Sequence, residues 1–130
     1  MQHNGWDHAL KVTADGAGLV GHGGGVLLRK LADQCGLTAG LGAAMAQERT
    51  SPKISRGLVV VSTAIAVALG AACMSDIAVL VQLAPVLGAA PSDSTVRRTL
   101  IHAGSRAGTR IAQARARVRR HMWEIGRAHV

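Results

Sequence analysis

The near-absence of large aromatic side chains constrains this chain more than any other feature. Its 130 residues include two Trp but no Phe and no Tyr, and its apolar residues are mostly Ala, Val and Leu, beside 16 Gly. Aromatic side chains normally supply much of the area that a core buries. Without them a core has to be built from small side chains on closely packed helices, so the composition predicts a small, marginally stable helical region.

Apolar spacing in the first half favours helices over strands. Val26, Leu27, Leu31 and Cys35 recur at helical intervals, and Gly36 suits the left-handed position that follows a helix. The segment LTAGLGAAMAQ, residues 37–47, predicts a second helix with Thr38 as its N-cap. These patterns predict an all-α, or nearly all-α, fold.

The longest apolar run is LVVVSTAIAVALGAAC, residues 58–73. Its sixteen residues fall short of the roughly 20 that a helix needs to cross a bilayer core. Extending the run to Leu83 would place Asp76 inside the membrane, where a carboxylate is costly. The run therefore predicts a buried core helix without membrane contact, and a membrane-inserted hairpin at 58–83 is the alternative. Because the core lacks aromatic side chains, low stability and self-association through the apolar surface of 58–83 are also expected.

The segment from Ser75 to Leu100 is compatible with a helix-turn-helix. Ser75 is predicted to cap the first helix, and the second opens with small hydroxyl side chains and carries two adjacent arginines. Such groups at the start of a recognition helix suit phosphate and base contacts. The connection between the helices is longer than the motif's usual turn, so two ordinary capped helices fit equally well.

Two helices are predicted in the last third of the chain. SDSTVRRTLIHAG begins with Ser92 as a helix cap and is expected to stop at Gly104. The final helix is predicted over residues 105–123, with arginines around most of its circumference. Its apolar stripe consists of Ile111, Ala114, Val118 and Met122.

Positive charge is concentrated at the same end. Residues 1–90 carry six Lys/Arg against five acids, whereas residues 91–130 carry nine Arg against two, a net of +7. Guanidinium groups bind phosphate with bidentate geometry, so the pattern predicts double-stranded DNA as partner, with a solvated helix face as the equally simple alternative. The residues predicted to contact DNA are Ser94, Thr95, Arg97, Arg98, Arg110, Arg115, Arg117, Arg119 and Arg120.

These arginines are expected to have different roles in DNA binding. The four distal ones, from Arg115 to Arg120, are predicted to bind phosphates irrespective of sequence. Arg97 and Arg98, with the hydroxyls before them, are the candidates for base readout.

No residue pattern in the chain indicates catalysis, a metal site or a bound cofactor. The six His are scattered, the seven acids are mostly isolated, and Cys35 and Cys73 predict two buried reduced thiols in a cytosolic protein. GAGLVG, residues 16–21, matches the GxGxxG pattern and leaves a nucleotide-binding protein as a lesser alternative. Three more glycines separate the pattern from any helix, which a dinucleotide site would not tolerate.

Four stretches in order resemble one protein family. They are VTADGAGLVGHGGGVLLRKLADQCGLTAGL, MSDIAVL, LGAAPSDSTVRRTL and RIAQARARVRRHMW, and they cover most of residues 11–123. Together they are similar to the bacterial insertion-sequence transposases with a DDE-type, RNase H-like catalytic domain, of the group-one kind common in actinobacteria.

The resemblance implies a DNA transposase that mobilises an insertion sequence by DNA recombination. Such an enzyme acts on element ends in the bacterial cytoplasm, in association with the nucleoid, and uses Mg²⁺ held by three carboxylates. The resemblance divides the chain into an irregular lead-in (1–25), a helical N-terminal domain (26–104) and an arginine-rich helix (105–123). The family's first catalytic aspartate lies beyond that helix, so this stretch alone is expected to be inactive.

The last seven residues, EIGRAHV, match nothing in the family. Back-translated as GAG ATC GGA AGA GCA CAC GTC, they resemble the start of a widely used sequencing-library adapter, whose next triplet, TGA, is a stop. Glu124 to Val130 are therefore expected to be an adapter artefact that follows a truncated transposase reading frame.

Overall fold

A computed structural model describes residues 10, 22–47 and 53–128 of the chain. Over these residues the fold is all-α, as the sequence predicts, and contains no β-strand. The order of elements is α1 (Gly24–Gln34), α2 (Leu37–Ala44), α3 (Arg56–Ala68), a 3-10 turn (Met74–Ala78), α4 (Val79–Gln82), α5 (Ala84–Leu87), α6 (Asp93–His102), a π-helical turn (Ala103–Ala107) and α7 (Gly108–Ala128).

The central element is α3, which the predicted apolar run forms. One side of it contributes Val59 and Ala66 to a cluster with the 3-10 turn, α4 and α6, and the other contributes Val61 and Ile65 to a cluster with α1 and α2. An apolar helix with neighbours on both sides can be hydrophobic around most of its circumference. The prediction of a buried core helix is therefore confirmed, and no helix in the described ranges is long and apolar enough to cross a membrane.

Helices α1 and α2 join through a tight left-handed turn. Gly36 has φ of 78°, the conformation predicted for it, and it precedes α2 directly. The prediction that Thr38 caps α2 is wrong, because Thr38 lies inside the helix and its buried Oγ1 has no hydrogen-bond partner. On α1 the buried Arg29 donates from Nε to the Asp33 carboxylate at 3.0 Å, one turn away.

Small residues let α2 and α3 approach closely. A Cβ built on Gly57 of α3 would lie 2.7 Å from Gly42 Cα and 2.8 Å from the Thr38 carbonyl oxygen. Only glycine fits at this contact, because both neighbours are backbone atoms. The packing of small side chains that the composition predicts is realised here.

The segment between α3 and α6 differs from its prediction. A 3-10 turn and two four-residue helices replace the single helix expected from Ser75, and Cys73 rather than Ser75 is the N-cap. The carboxylate of Asp76 accepts hydrogen bonds from Ala72 N at 2.8 Å and Cys73 N at 3.0 Å. These bonds, led by the one from Ala72, lower the pKa of Asp76.

The two C-terminal helices form one continuous helical rod. Ser92 caps α6 as predicted, but Gly104 does not end the helix, since the π-helical turn carries the backbone into α7. The expected end at Trp123 is also wrong, because α7 continues to Ala128. Glu, Arg and Ala favour a helix, and the preceding turns continue through Ile125 and Gly126 despite the unfavourable propensity of glycine.

Both thiols are free, but only one is shielded from solvent. Cys35 is half-buried beside the end of α1, whereas Cys73 is exposed. The prediction of two buried thiols is therefore wrong for Cys73, which lies in the irregular segment after α3 and holds its Sγ 3.0 Å from Ser75 Oγ.

Candidate nucleic-acid interface

The first half of α7 packs against the bundle and its second half does not. Ala114 is buried close to Gly40 of α2, and Ile111 borders the cluster formed by α1, α2 and α3. Val118 is half-buried, whereas every residue from Arg119 to Ala128 is exposed. The predicted stripe therefore packs against the bundle through three of its four members, and Met122 is exposed.

All five arginines predicted on α7 are exposed: Arg110, Arg115, Arg117, Arg119 and Arg120. At 3.6 residues per turn, Arg110 and Arg117 lie one turn from the buried Ala114 and border one edge of the apolar stripe. Arg115 and Arg119 lie beyond its other edge, and Arg120 lies opposite the stripe. None of the five forms an ion pair within the described part of the chain. They give a helix roughly 30 Å long a strong positive potential over most of its surface.

The start of α6 holds the predicted hydroxyl side chains in a small cluster. Ser92 Oγ accepts from Thr95 N at 3.3 Å and lies 2.9 Å from Thr95 Oγ1 and 3.1 Å from Ser94 Oγ. One turn later, Arg98 Nε donates to the Ser94 carbonyl oxygen at 3.1 Å. These bonds fix the first turn of α6 and the direction of the Arg98 side chain.

A pocket of about 590 Å³ lies between α6 and the residues that lead into α3. Its walls are formed by Gln47, Lys53, Ile54, Arg56, Ser92, Thr95, Arg98, Thr99 and His102. The structure thus brings Thr95 and Arg98 together in a concave site, while Ser94 and Arg97 are exposed and do not line it. Of the four residues predicted for base readout, two therefore line the pocket and two do not.

A chain of hydrogen bonds stabilises the floor of this pocket. Arg56 donates from Nη2 to Gln47 Oε1 at 3.1 Å, and from Nη1 to the Met45 carbonyl oxygen at 3.4 Å. Gln47 Nε2 lies 3.2 Å from His102 Nδ1. Since the amide oxygen of Gln47 accepts from Arg56, its nitrogen donates to Nδ1, and this assigns the ring proton of a neutral His102 to Nε2.

His102 titrates at a lower pH than an ordinary histidine. Burial lowers its pKa most, and the positive charges of Arg56, Arg106 and Arg110 lower it further. A second proton would bind Nδ1, which accepts from the Gln47 amide in the neutral ring, so the charged form would lose this hydrogen bond.

Sequence reasoning missed the residues of the pocket that lie outside α6. Lys53 and Arg56 stand in a polar segment that predicts only a loop, and they meet Arg98 more than forty positions later. His102 appears as one of six scattered histidines. No local spacing could reveal the site, because the fold of α3 against α6 creates it.

The arrangement does not correspond to a helix-turn-helix. The two helices before α6 are four residues each, too short for the first helix of that motif, and α6 packs mainly on α3. In the described ranges no group of three or more His, Cys, Asp or Glu could hold a metal ion. The GAGLVG pattern and most of the predicted lead-in lie outside the described residues.

Comparison of the chain with protein families, curated proteins and solved structures finds no match. The functional proposal therefore rests on the residues of this chain.

Proposed function

We propose that the chain binds double-stranded DNA, mainly through phosphate contacts of α7. The observation that carries this proposal is the set of exposed arginines from Arg110 to Arg120, without ion pairs in the described part of the chain. An arginine satisfied by a neighbouring carboxylate would contribute little to DNA binding. Here the guanidinium groups are available for bidentate bonds to phosphate oxygens.

The shape of α7 supports the same proposal. Its second half extends from the bundle with all sides in solvent, and a major groove of about 12 Å width admits an α-helix. Arginines placed around the helix reach phosphates on both sides of a groove. Ser94 and Arg97 are exposed at the start of α6 and remain the candidates for base contacts.

The wider proposal is that these helices belong to the N-terminal, DNA-binding region of an insertion-sequence transposase. Four sequence segments in the family's order support it, and the all-α fold agrees with what the resemblance implies for this region. The genomic DNA that follows the Trp123 codon tests it directly. Continuation into a segment with an aspartate-bearing strand is expected, whereas a natural stop codon at that point would remove the proposal.

Fluorescence anisotropy with a labelled duplex across a salt series tests DNA binding. Replacing Arg115, Arg117, Arg119 and Arg120 by Gln should weaken binding to all duplexes alike, because phosphate contacts carry no sequence information. The slope of log affinity against log salt should flatten by about 0.9 for each phosphate that is no longer neutralised.

The matched control replaces the same four arginines by Lys, which keeps the charge and removes the planar guanidinium fork. This variant should retain most of the salt slope, because counterion release depends on charge. If the Gln variant binds as tightly as the original chain with the same slope, α7 is a solvated surface and the DNA-binding proposal fails.

A further inference from the structure

We propose that the pocket between α6 and the Lys53–Arg56 segment binds the phosphate group of a ligand of about nucleotide size. The proposal goes beyond DNA binding by α7, because the pocket is concave and takes a single phosphate-bearing group. It stands on different residues from the four distal arginines and can be tested without duplex DNA.

Charge is the first observation that supports it. Lys53 and Arg56 approach the pocket from one side and Arg98 from the other. No Asp or Glu lines the pocket among the residues that the structure describes, and the one acid in the first turn of α6, Asp93, lies outside the lining. Cations that line a concave site concentrate anions there.

The start of α6 provides the second observation. Ser92 and Thr95 place hydroxyl groups in the lining, and the amide groups of the first helical turn carry a partial positive charge. Helix α6 has ten residues and is capped, so this end is well formed. Hydroxyls, amides and guanidinium groups together are the donors that phosphate oxygens accept from.

Preorganisation is the third observation. Arg56 is held by the Met45 carbonyl and the Gln47 amide, and Arg98 is held by the Ser94 carbonyl. Side chains that already occupy one conformation lose less entropy when a ligand binds.

The size of the pocket decides the class of ligand. Its volume of about 590 Å³ falls in the range of roughly 300–1,000 Å³ that is typical of small-molecule sites. A lone phosphate would fill a small part of it. Ile54 in the lining offers an apolar contact to an organic body, so the fit is to a phosphate monoester such as a nucleotide, free or at the end of a nucleic acid strand.

Titration of the full chain by isothermal calorimetry and by ¹⁵N NMR tests the inference. The probes are adenosine 5′-monophosphate, adenosine, inorganic phosphate and a short single strand with and without a 5′-phosphate. Adenosine monophosphate should bind at least about tenfold more tightly than adenosine, because hydrogen bonds to charged groups are the strong ones. The amide shifts should concentrate at residues 53–56 and 92–99.

Lys53→Gln and Arg98→Gln should each weaken monophosphate binding by about tenfold. Arg127→Gln is the matched control, since it removes the same charge from an exposed position near the end of α7 that does not line the pocket, and it should leave affinity unchanged within about twofold. A stronger response to the 5′-phosphorylated strand than to the free nucleotide would assign the phosphate to a nucleic acid end, and the reverse would assign it to a free nucleotide.

Three results would overturn the inference: equal binding of adenosine and its monophosphate, equally weakened binding in the Arg127 and Arg98 variants, or amide shifts spread along α7. Far-UV circular dichroism confirms that each variant keeps its helices. The quadruple replacement on α7 should leave monophosphate binding intact, so failure of the DNA proposal and failure of this one are separable.

Discussion

The pKa of His102 depends on the groups that surround its ring. Its ring joins α6 to the segment before α3 through Gln47, and its pKa is lowered by burial and by Arg56, Arg106 and Arg110. In the unfolded chain the pKa of a histidine is about 6.5. Between the folded and unfolded pKa values the unfolded state binds more protons, so stability rises with pH across this window.

The free energy of unfolding should therefore have its full value above about pH 6.5 and should decrease as the pH falls from there through the lowered pKa of His102. Urea titrations between pH 5 and pH 8 measure this change. His102→Gln should remove most of it, while His121→Gln, at an exposed position of α7, should keep it. Asp76 does not interfere, because its lowered pKa places its effect below about pH 3.9. Equal behaviour of the two histidine variants would contradict the assignment.

Gly57 is the position where the addition of a single methyl group should lower the free energy of unfolding. Alanine favours a helix over glycine by about 1 kcal/mol, but here its Cβ meets the backbone of Gly42 and Thr38, which cannot rotate away. Overpacking of this kind costs about 1–3 kcal/mol, and backbone obstruction places Gly57→Ala at the upper end, so we expect a net loss of about 1–2 kcal/mol.

Gly104→Ala is the matched control for this prediction. Nothing lies within 4 Å of a Cβ at that position, so the substitution should stabilise the chain by about 0.4–1 kcal/mol through the unfolded state. Urea denaturation measures both variants. A Gly57 variant as stable as the original chain would show that α2 and α3 do not pack this closely.

At the scale of elements, local signals predicted helices well where capping and periodicity agree. Ser92 caps α6 and Gly36 takes the left-handed turn before α2, as the sequence indicates. The failures have a common cause, which is that a neighbouring contact overrides a local preference. Gly104 lies in a π-helical turn that connects α6 to α7, so the helix does not end there. Cys73 rather than Ser75 is the N-cap, because the Asp76 carboxylate accepts a hydrogen bond from the backbone N–H of Cys73.

Of the two candidate sites, one follows from local sequence signals and the other depends on how the helices pack. The exposed arginines of α7 follow from helical spacing and charge alone, so sequence predicts them residue by residue. The phosphate pocket depends on α3 crossing α6, which joins Lys53 and Arg98 across 45 positions. Periodicity reports which side of a helix is apolar and gives no information on which helices meet.

At the scale of the whole molecule, two small clusters share α3, and none of the described residues that form them is aromatic. The largest fully buried side chains among the described residues are Met45, Leu83, Val59 and Val96. A core with so little volume leaves apolar groups at the surface. The exposed apolar side chains include Val67 and Val81 from the predicted self-associating stretch 58–83, together with Leu27 and Leu31 on α1.

Self-association should depend more on α1 than on the stretch 58–83. Leu27 and Leu31 are 71% and 50% exposed and lie one turn apart, so they form a continuous apolar patch, whereas Val67 and Val81 belong to different elements. A net charge of +8 opposes contact between copies, and salt screens this repulsion. Sedimentation velocity should therefore show association that strengthens with salt, opposite to the salt response of DNA binding.

Leu27→Gln with Leu31→Gln should lower the association constant by about tenfold or more, because each substitution removes exposed apolar area from the contact. The paired control, Val67→Gln with Val81→Gln, should change it by less. Association that weakens with salt, or that responds equally to both pairs, would show that charge or the 58–83 stretch drives it instead.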